Sequence, residues 1–225
     1  MGRMTLRVIF AFLAVGAFAA LPIRAQDSTT TTTTTTVDHD DDDSDFSHFR
    51  IYGGPAYVAP MGDGPITFDT VTDNIEAQTH VGWNLGFEWH FIRLLGVEVD
   101  YVNANQDVDF GGVTIGDTDF SPLTATLNFH LVSTEHFDFY LGPSYSWVNW
   151  GDVELNEEGE GLVSTNGLAA DSDTAWGLGL GLDVGGEHVK FTAGLRYINT
   201  NLVLPGVGEI EVDPIVARLG VAFTF

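Results

Sequence analysis

From residue 79 to the last residue, apolar side chains recur at every second position. Val81, Trp83, Leu85, Phe87, Trp89 and Phe91 alternate with Gly82, Asn84, Gly86, Glu88 and His90. Leu95, Val97, Val99 and Tyr101 alternate with Gly96, Glu98 and Asp100, and Leu123, Ala125, Leu127, Phe129 and Leu131 with Thr124, Thr126, Asn128 and His130. Phe137, Phe139, Leu141, Tyr145 and Trp147 oppose Asp138, Tyr140, Gly142, Ser144 and Ser146. Trp176, Leu178, Leu180, Leu182 and Val184 oppose Gly177, Gly179, Gly181 and Asp183. Val189, Phe191, Ala193, Leu195 and Tyr197 oppose Lys190, Thr192, Gly194 and Arg196. The chain closes with Ile215, Ala217, Leu219, Val221, Phe223 and Phe225 against Val216, Arg218, Gly220, Ala222 and Thr224. A period of two puts each set on one face of a strand. Phe49 to Val58 adds an eighth strand, its phase blurred by Gly53, Gly54 and Pro55. No helical period competes, so the chain is all-β.

Which face points inward decides the class. The apolar face carries Trp83, Trp89, Trp147, Trp176, Phe191 and Phe223 with many other rings, and an eight-stranded barrel is only just wide enough for side chains to fill it. The opposite face is mostly Gly, Ser, Thr and Asn, which suit a tight concave interior. Bulky apolar residues suit lipid, with aromatics near its two interfaces. The expected fold is an eight-stranded antiparallel transmembrane β-barrel, inside out relative to a soluble one. A soluble lipocalin-like carrier is the fold-level alternative, and it predicts partition into water.

Connection lengths point the same way. The joins at Ile92 to Leu94, Val132 to His136 and Gly185 to His188 are short, while those near 60–78, 103–119, 149–174 and 201–212 are long. Short periplasmic turns and longer extracellular loops are the transmembrane barrel pattern. The long loops carry Asp107, Asp109, Asp117, Asp119, Glu154, Glu157, Glu158 and Glu160. Proline removes a ladder donor and belongs at strand starts, edges or bulges. Pro122 and Pro214 read as strand starts, whereas Pro143 lies mid-strand and predicts a bulge or a broken ladder bond.

Residues 1–25 read as an export signal, with Arg3 and Arg7 before an uncharged run from Val8 to Leu21. That run is about 14 residues, short of the ~20 needed to span a bilayer as a helix. Residues 26–46 hold eight threonines, Thr29 to Thr36, then Asp38, His39, Asp40 to Asp43 and Asp45. With no apolar periodicity the segment reads as a disordered, solvated tether. The Asp run lacks the alternating ligand spacing and turn glycine of a calcium loop. The barrel then covers 47–225. Across the chain 32 acidic residues face 8 basic ones, a net charge of −24, so nucleic acid is excluded as a partner. No cysteine is present, which excludes disulfides, thiolate metal sites and thiol catalysis.

Four segments carry a family likeness: Phe120-Ser121-Pro122-Leu123-Thr124-Ala125, the strand ending Phe139-Tyr140-Leu141-Gly142-Pro143, Ala175-Trp176-Gly177-Leu178-Gly179, and Val212-Asp213-Pro214-Ile215 through Phe223-Thr224-Phe225. Over roughly 47–225 the chain resembles the OmpW family of small outer-membrane barrels, within the OmpA-like superfamily. The resemblance implies passage of small hydrophobic molecules from the extracellular mouth towards an opening in the barrel wall, as a minor, porin-like permeability component. It also implies a bacterial outer-membrane location among lipid and lipopolysaccharide. Phe225, closing an alternating strand, looks like the signal that the barrel-assembly machinery reads.

The family's lumen is often described as apolar, and this inward face departs from that. Lys190, Arg196, Arg218 and Arg50 face inward with Glu88, Glu98, Asp100, Asp138 and Asp183. Charges in a narrow lumen are costly unless paired, so a network of ion pairs is expected, with Arg forks bridging carboxylates. Such a network can be a polar plug that conducts nothing, or the floor of a pocket that opens sideways to lipid. An open aqueous channel needs about 16 strands. His80, His90 and His130 also face inward, but on two strands at different heights, so no metal site is expected. Neither is a cofactor. A lipid-modifying enzyme would need a nucleophile beside a base, which the alternation does not establish for Ser144 or Ser146 with a histidine, and the chain is expected not to be an enzyme. The competing role is a closed structural or surface-interaction (adhesin-like) barrel acting through its acidic loops.

Overall fold

The computed structural model describes residues 48–68, 71–162, 167–204 and 208–225. The export signal and tether expected at 1–25 and 26–46 lie outside the described residues. In chain order the strands are β1 (His48–Ala59), β2 (Gly64–Phe68), β3 (Val71–Ala77), β4 (His80–Ile92), β5 (Leu95–Phe110), β6 (Val113–Ser133) and β7 (Phe137–Trp150). They continue as β8 (Val153–Leu155), β9 (Gly167–Leu168), β10 (Asp173–Gly185), β11 (Val189–Asn199), β12 (Asn201–Leu204), β13 (Gly208–Glu211) and β14 (Ile215–Thr224), with one short helix among the described residues, α1 (Glu157–Leu162).

Eight of these strands form a closed antiparallel ring: β1, β4, β5, β6, β7, β10, β11, β14 and back to β1. Closure leaves the wall with no unpaired edge, the condition for a sheet in lipid. The last residue completes the seam, since Phe225 N–H donates to the Phe49 carbonyl at 2.9 Å and Phe49 N–H to the Phe225 carbonyl at 3.2 Å. Short turns join β4 to β5, β6 to β7 and β10 to β11 on one rim. On the other rim stand the β2–β3 and β12–β13 hairpins and the β8–α1–β9 excursion.

Lipid is the medium that the outer face fits. Trp83, Trp89, Trp147, Trp176, Phe191 and Phe223 are all exposed, from 44 % for Trp89 to 76 % for Phe191. The pairing registers sort the rings into two belts. Tyr57, Trp83, Tyr101, Tyr145, Trp147 and Trp176 lie towards the long-loop rim, and Phe49, Trp89, Phe137, Phe191 and Phe223 towards the short-turn rim. Between them run Leu85, Val99, Leu141, Leu178 and Leu180. This is an apolar band with aromatic girdles at both interfaces.

The segment 103–119 is not the loop that its acidic residues suggest. The β5–β6 hairpin continues to Phe110 and Val113 and turns on Gly111 and Gly112, at φ 58° and 82°. Two left-handed residues make the tight hairpin turn that matches strand twist. In this extension the parity of the strand is unchanged but its chemistry inverts. Val102, Ala104, Val108 and Phe110 are buried inside, while Asn103, Asn105, Asp107 and Asp109 face out. Below Tyr101 the outer medium is lipid, and above it water. The interior changes from polar to largely apolar, with Gln106 and Thr118 as buried exceptions. Ile75, Phe120, Trp150, Ile198, Leu202 and Ile210 join the apolar core at the long-loop end.

Pro122 is mid-strand rather than at a strand start, because β6 begins nine residues earlier at Val113. Its missing N–H coincides with lost rungs: β5 and β6 pair up to Tyr101–Leu123 and resume at Ala104–Phe120 in the same register. Pro143 does the same between β6 and β7, where pairing stops at Thr126–Ser144 and resumes at Phe129–Leu141. β6 is thus loosened on both sides.

Candidate functional site

The lumen below the apolar core holds the charged side chains. Arg50, from β1, donates from Nη1 to Glu88 Oε2 at 2.5 Å and from Nη2 to Asp183 Oδ1, Thr192 Oγ1 and Tyr140 Oη at 2.8–2.9 Å. Its Nε lies 2.8 Å from Asp183 Oδ2, so one edge of the guanidinium faces that carboxylate. Arg196 donates to Asp100, to Glu98 Oε1 at 2.6 Å and to Thr126 Oγ1 at 2.9 Å. Arg218 donates to Tyr52 Oη at 2.6 Å and to Glu98 Oε1 at 3.2 Å, with Asp100 Oδ2 3.0 Å away. Each of these charged groups is at most 5 % exposed. The attraction is therefore little screened, and so is the cost of leaving any of them single.

Partners that the inward face alone does not single out complete the network. Tyr52 and Tyr140 stack on Arg50, with its guanidinium carbon 4.5 and 5.1 Å from their ring centres. Each tyrosine lies opposite a glycine on the next strand, Gly86 and Gly181. A Cβ at either glycine would sit 2.2 Å from the ring, so the rings lie flat against the wall only because those positions lack side chains. A tyrosine facing a glycine across a predicted strand pair is the signal in the sequence that points to them.

Lys190 does not join the network. It sits at the short-turn rim, opposite Gly185 and Ala222, is half-buried and makes no ion pair among the described residues. A long flexible side chain one residue from a turn reaches water at small cost. Nor do all three histidines stay apart, as different heights implied. His90 and His130 meet with ring centres 4.3 Å apart across β5, while His80 is at the other end, 3.1 Å from Asp107. Asp138 pairs with His130 Nδ1 at 2.9 Å rather than with an arginine.

The wall around β6 shows what the broken rungs leave. At the Pro143 gap a depression of about 380 Å³ opens on the outer face, lined by Val97, Ala125, Thr126, Leu127, Pro143, Ser144 and Tyr145. At the Pro122 gap the strands are held by a side-chain bond, Asn103 Nδ2 to Ser121 Oγ at 2.9 Å. That gap stands at the level where the charged network (Asp100, Thr124) gives way to the apolar core (Val102, Phe120).

Comparison with solved structures matches this architecture. The outer membrane protein OprG from Pseudomonas aeruginosa superimposes with a TM-score of 0.70 at 22 % identity, over 80 % of this chain and 96 % of that one. The fold is that of the small outer-membrane β-barrels. AlkL, solved by solid-state NMR in DMPC bilayers, gives 0.53 at 15 % identity, covering 89 % and 97 % of the two chains. Neisserial surface protein A gives 0.52 at 14 %, covering 79 % and 97 %. These neighbours fit the OmpW-like resemblance at the level of fold. No family model and no curated protein matches the sequence.

Proposed function

We propose that the protein is a non-catalytic outer-membrane barrel that passes small hydrophobic solutes into the outer membrane through the β5–β6 seam. The observation that supports this reading is the coincidence of three features at one height: the floor of an apolar interior, a buried charged layer beneath it, and a stretch of wall without backbone rungs. A solute that enters the apolar end meets a layer it cannot cross, since displacing paired buried charges is costly. The weakest neighbouring exit is sideways, where one Asn103–Ser121 bond replaces the ladder. In this reading lipopolysaccharide and phospholipid surround the belt, and Phe225 serves recognition by the assembly machinery.

A second reading is favoured by the packing itself. Val102, Phe120, Trp150, Ile198 and Leu202 are at most 3 % exposed, so the apolar end is filled and a route requires their displacement. A closed barrel acting through its acidic extracellular extension needs no such motion.

One experiment separates the two. Because the chain has no cysteine, Asn103→Cys with Ser121→Cys places a single reducible staple across the seam. In liposomes the unmodified barrel is expected to speed uptake of a small apolar dye over empty vesicles and to leave a sugar excluded. Oxidation of the double variant is expected to return dye uptake to the empty-vesicle rate, and reduction to restore it. Absence of dye flux in the unmodified barrel supports the closed reading. Flux that ignores the staple refutes the seam.

A further inference from the structure

We propose that Glu88, His90 and His130 form a binding site for one divalent transition-metal ion of the zinc type, at the short-turn end of the lumen. Their ligand atoms lie within 4.8 Å of one another and all three residues are buried. Glu88 and His90 come from β4 and His130 from β6, so the site bridges two strands that are not neighbours. The crossing is possible because Gly96 of β5 lies between them. A Cβ there would stand 2.6 Å from Glu88 Oε1 and 3.2 Å from His130 Nε2.

Two distances suit a metal. His90 Nε2 is 3.3 Å from one Glu88 oxygen and His130 Nε2 is 3.2 Å from the other. Ligands about 2.0–2.1 Å from a tetrahedral ion are about 3.3 Å apart. Two imidazoles and a carboxylate are a zinc donor set, with water as the fourth ligand. The His130 ring is held from behind, its Nδ1 2.9 Å from Asp138 Oδ2, which leaves Nε2 to face Glu88 and His90. A carboxylate behind a ligand histidine fixes its tautomer and raises its basicity. Asn128 steadies Glu88 through Nδ2 at 2.7 Å.

An independent observation is the unmet bonding of His90. It is 2 % exposed, yet its Nε2 makes no hydrogen bond, although a Glu88 carboxylate oxygen lies 3.3 Å away. A buried polar atom without a partner asks for an explanation, and a missing ion is one. Charge supplies a further argument. The buried network has five carboxylates, Glu88, Glu98, Asp100, Asp138 and Asp183, against three guanidiniums, Arg50, Arg196 and Arg218. One divalent cation balances the difference. Two protons on His90 and His130 would balance it as well, but would set two cationic rings 4.3 Å apart. The ion reaches the site from the short-turn mouth, where half-buried His48 stacks on His90 at 4.2 Å.

The test uses the full chain without a histidine tag, stripped with EDTA, refolded, and titrated with zinc in excess calcium to occupy the hard oxygen sites of the acidic loops. One equivalent is expected to bind. His90→Gln is expected to weaken it at least tenfold, and Asp138→Asn, which removes the group behind His130, by about 10- to 100-fold. His80→Gln, at the far rim, is expected to change nothing. X-ray absorption on the zinc-loaded unmodified protein is expected to count two imidazoles, a readout that stands even if His90→Gln fails to fold. No zinc binding, binding lost equally in His80→Gln, or a spectrum without imidazole overturns the site.

Discussion

Replacing Arg50 with leucine is expected to cost the folded barrel about 3–5 kcal/mol, the range for breaking a buried ion pair on one side. The effect is large because Arg50 is shared. Its guanidinium, from β1, binds Glu88 on β4, Tyr140 on β7, Asp183 on β10 and Thr192 on β11, so it ties together strands on opposite sides of the wall. Leucine leaves Asp183, which is 1 % exposed, without its cation, and leaves Glu88 with only the two histidines and the Asn128 amide. The measurement is equilibrium unfolding in urea with the barrel refolded into vesicles. A triple change, Arg50→Leu with Asp183→Asn and Glu88→Gln, is expected to recover part of the loss, because it removes the stranded charges. Arg50→Leu costing less than about 1 kcal/mol, the worth of an exposed pair, would mean that water reaches the network and that the lumen is wet.

Most of this network is legible before any coordinates. Strict alternation assigns Arg50, Glu88, Glu98, Asp100, Asp138, Asp183, Arg196 and Arg218 to one face, and closing the sheet brings that face together. What alternation does not carry is register and tilt, and these decide the partners. Asp138 faces inward as its parity requires, but its side chain reaches diagonally to His130, which the register places opposite Tyr140. Lys190 has inward parity too, yet it lies one residue from a turn, where a flexible chain escapes to the rim. Alternation does not carry the meeting of His90 and His130 for the same reason, since residues at different positions along separate strands come level once β5 staggers between them.

The 103–119 segment looks like a loop for a different cause. Hydrophobic alternation identifies a strand by contrast between its faces, and here the sign of that contrast is not constant. In β5 the sign reverses at Tyr101–Val102. Odd positions are apolar below and polar above, and even positions the opposite apart from buried Gln106. The period-two signal is present throughout, in Val102, Ala104, Val108 and Phe110, but with phase shifted by one residue. A strand that leaves lipid for water without leaving the sheet must show this shift, because only the outer medium has changed.

That reasoning sets the second large effect. Leu180→Arg is expected to destabilise the barrel by about 2–4 kcal/mol, the cost of a basic side chain on the lipid face near the bilayer midplane. Leu180 stands on β10 between Trp176 of one belt and Val184 near the other, flanked by Leu141 and Leu195, so its depth is near the middle. Phe191→Arg, on the same outer face but beside Lys190 at the short-turn rim, is expected to cost only about 0–1 kcal/mol. Asn105→Arg, also outward but above the lipid, is expected to cost nothing measurable, since its neighbours are water, Asp117 and Asp119. Three arginines on one outer surface are thus ranked by depth alone, and unfolding in vesicles reads the ranking directly. Equal costs at Leu180 and Asn105 would mean that the same medium bathes both, and the barrel would then have to stand in water along its whole length.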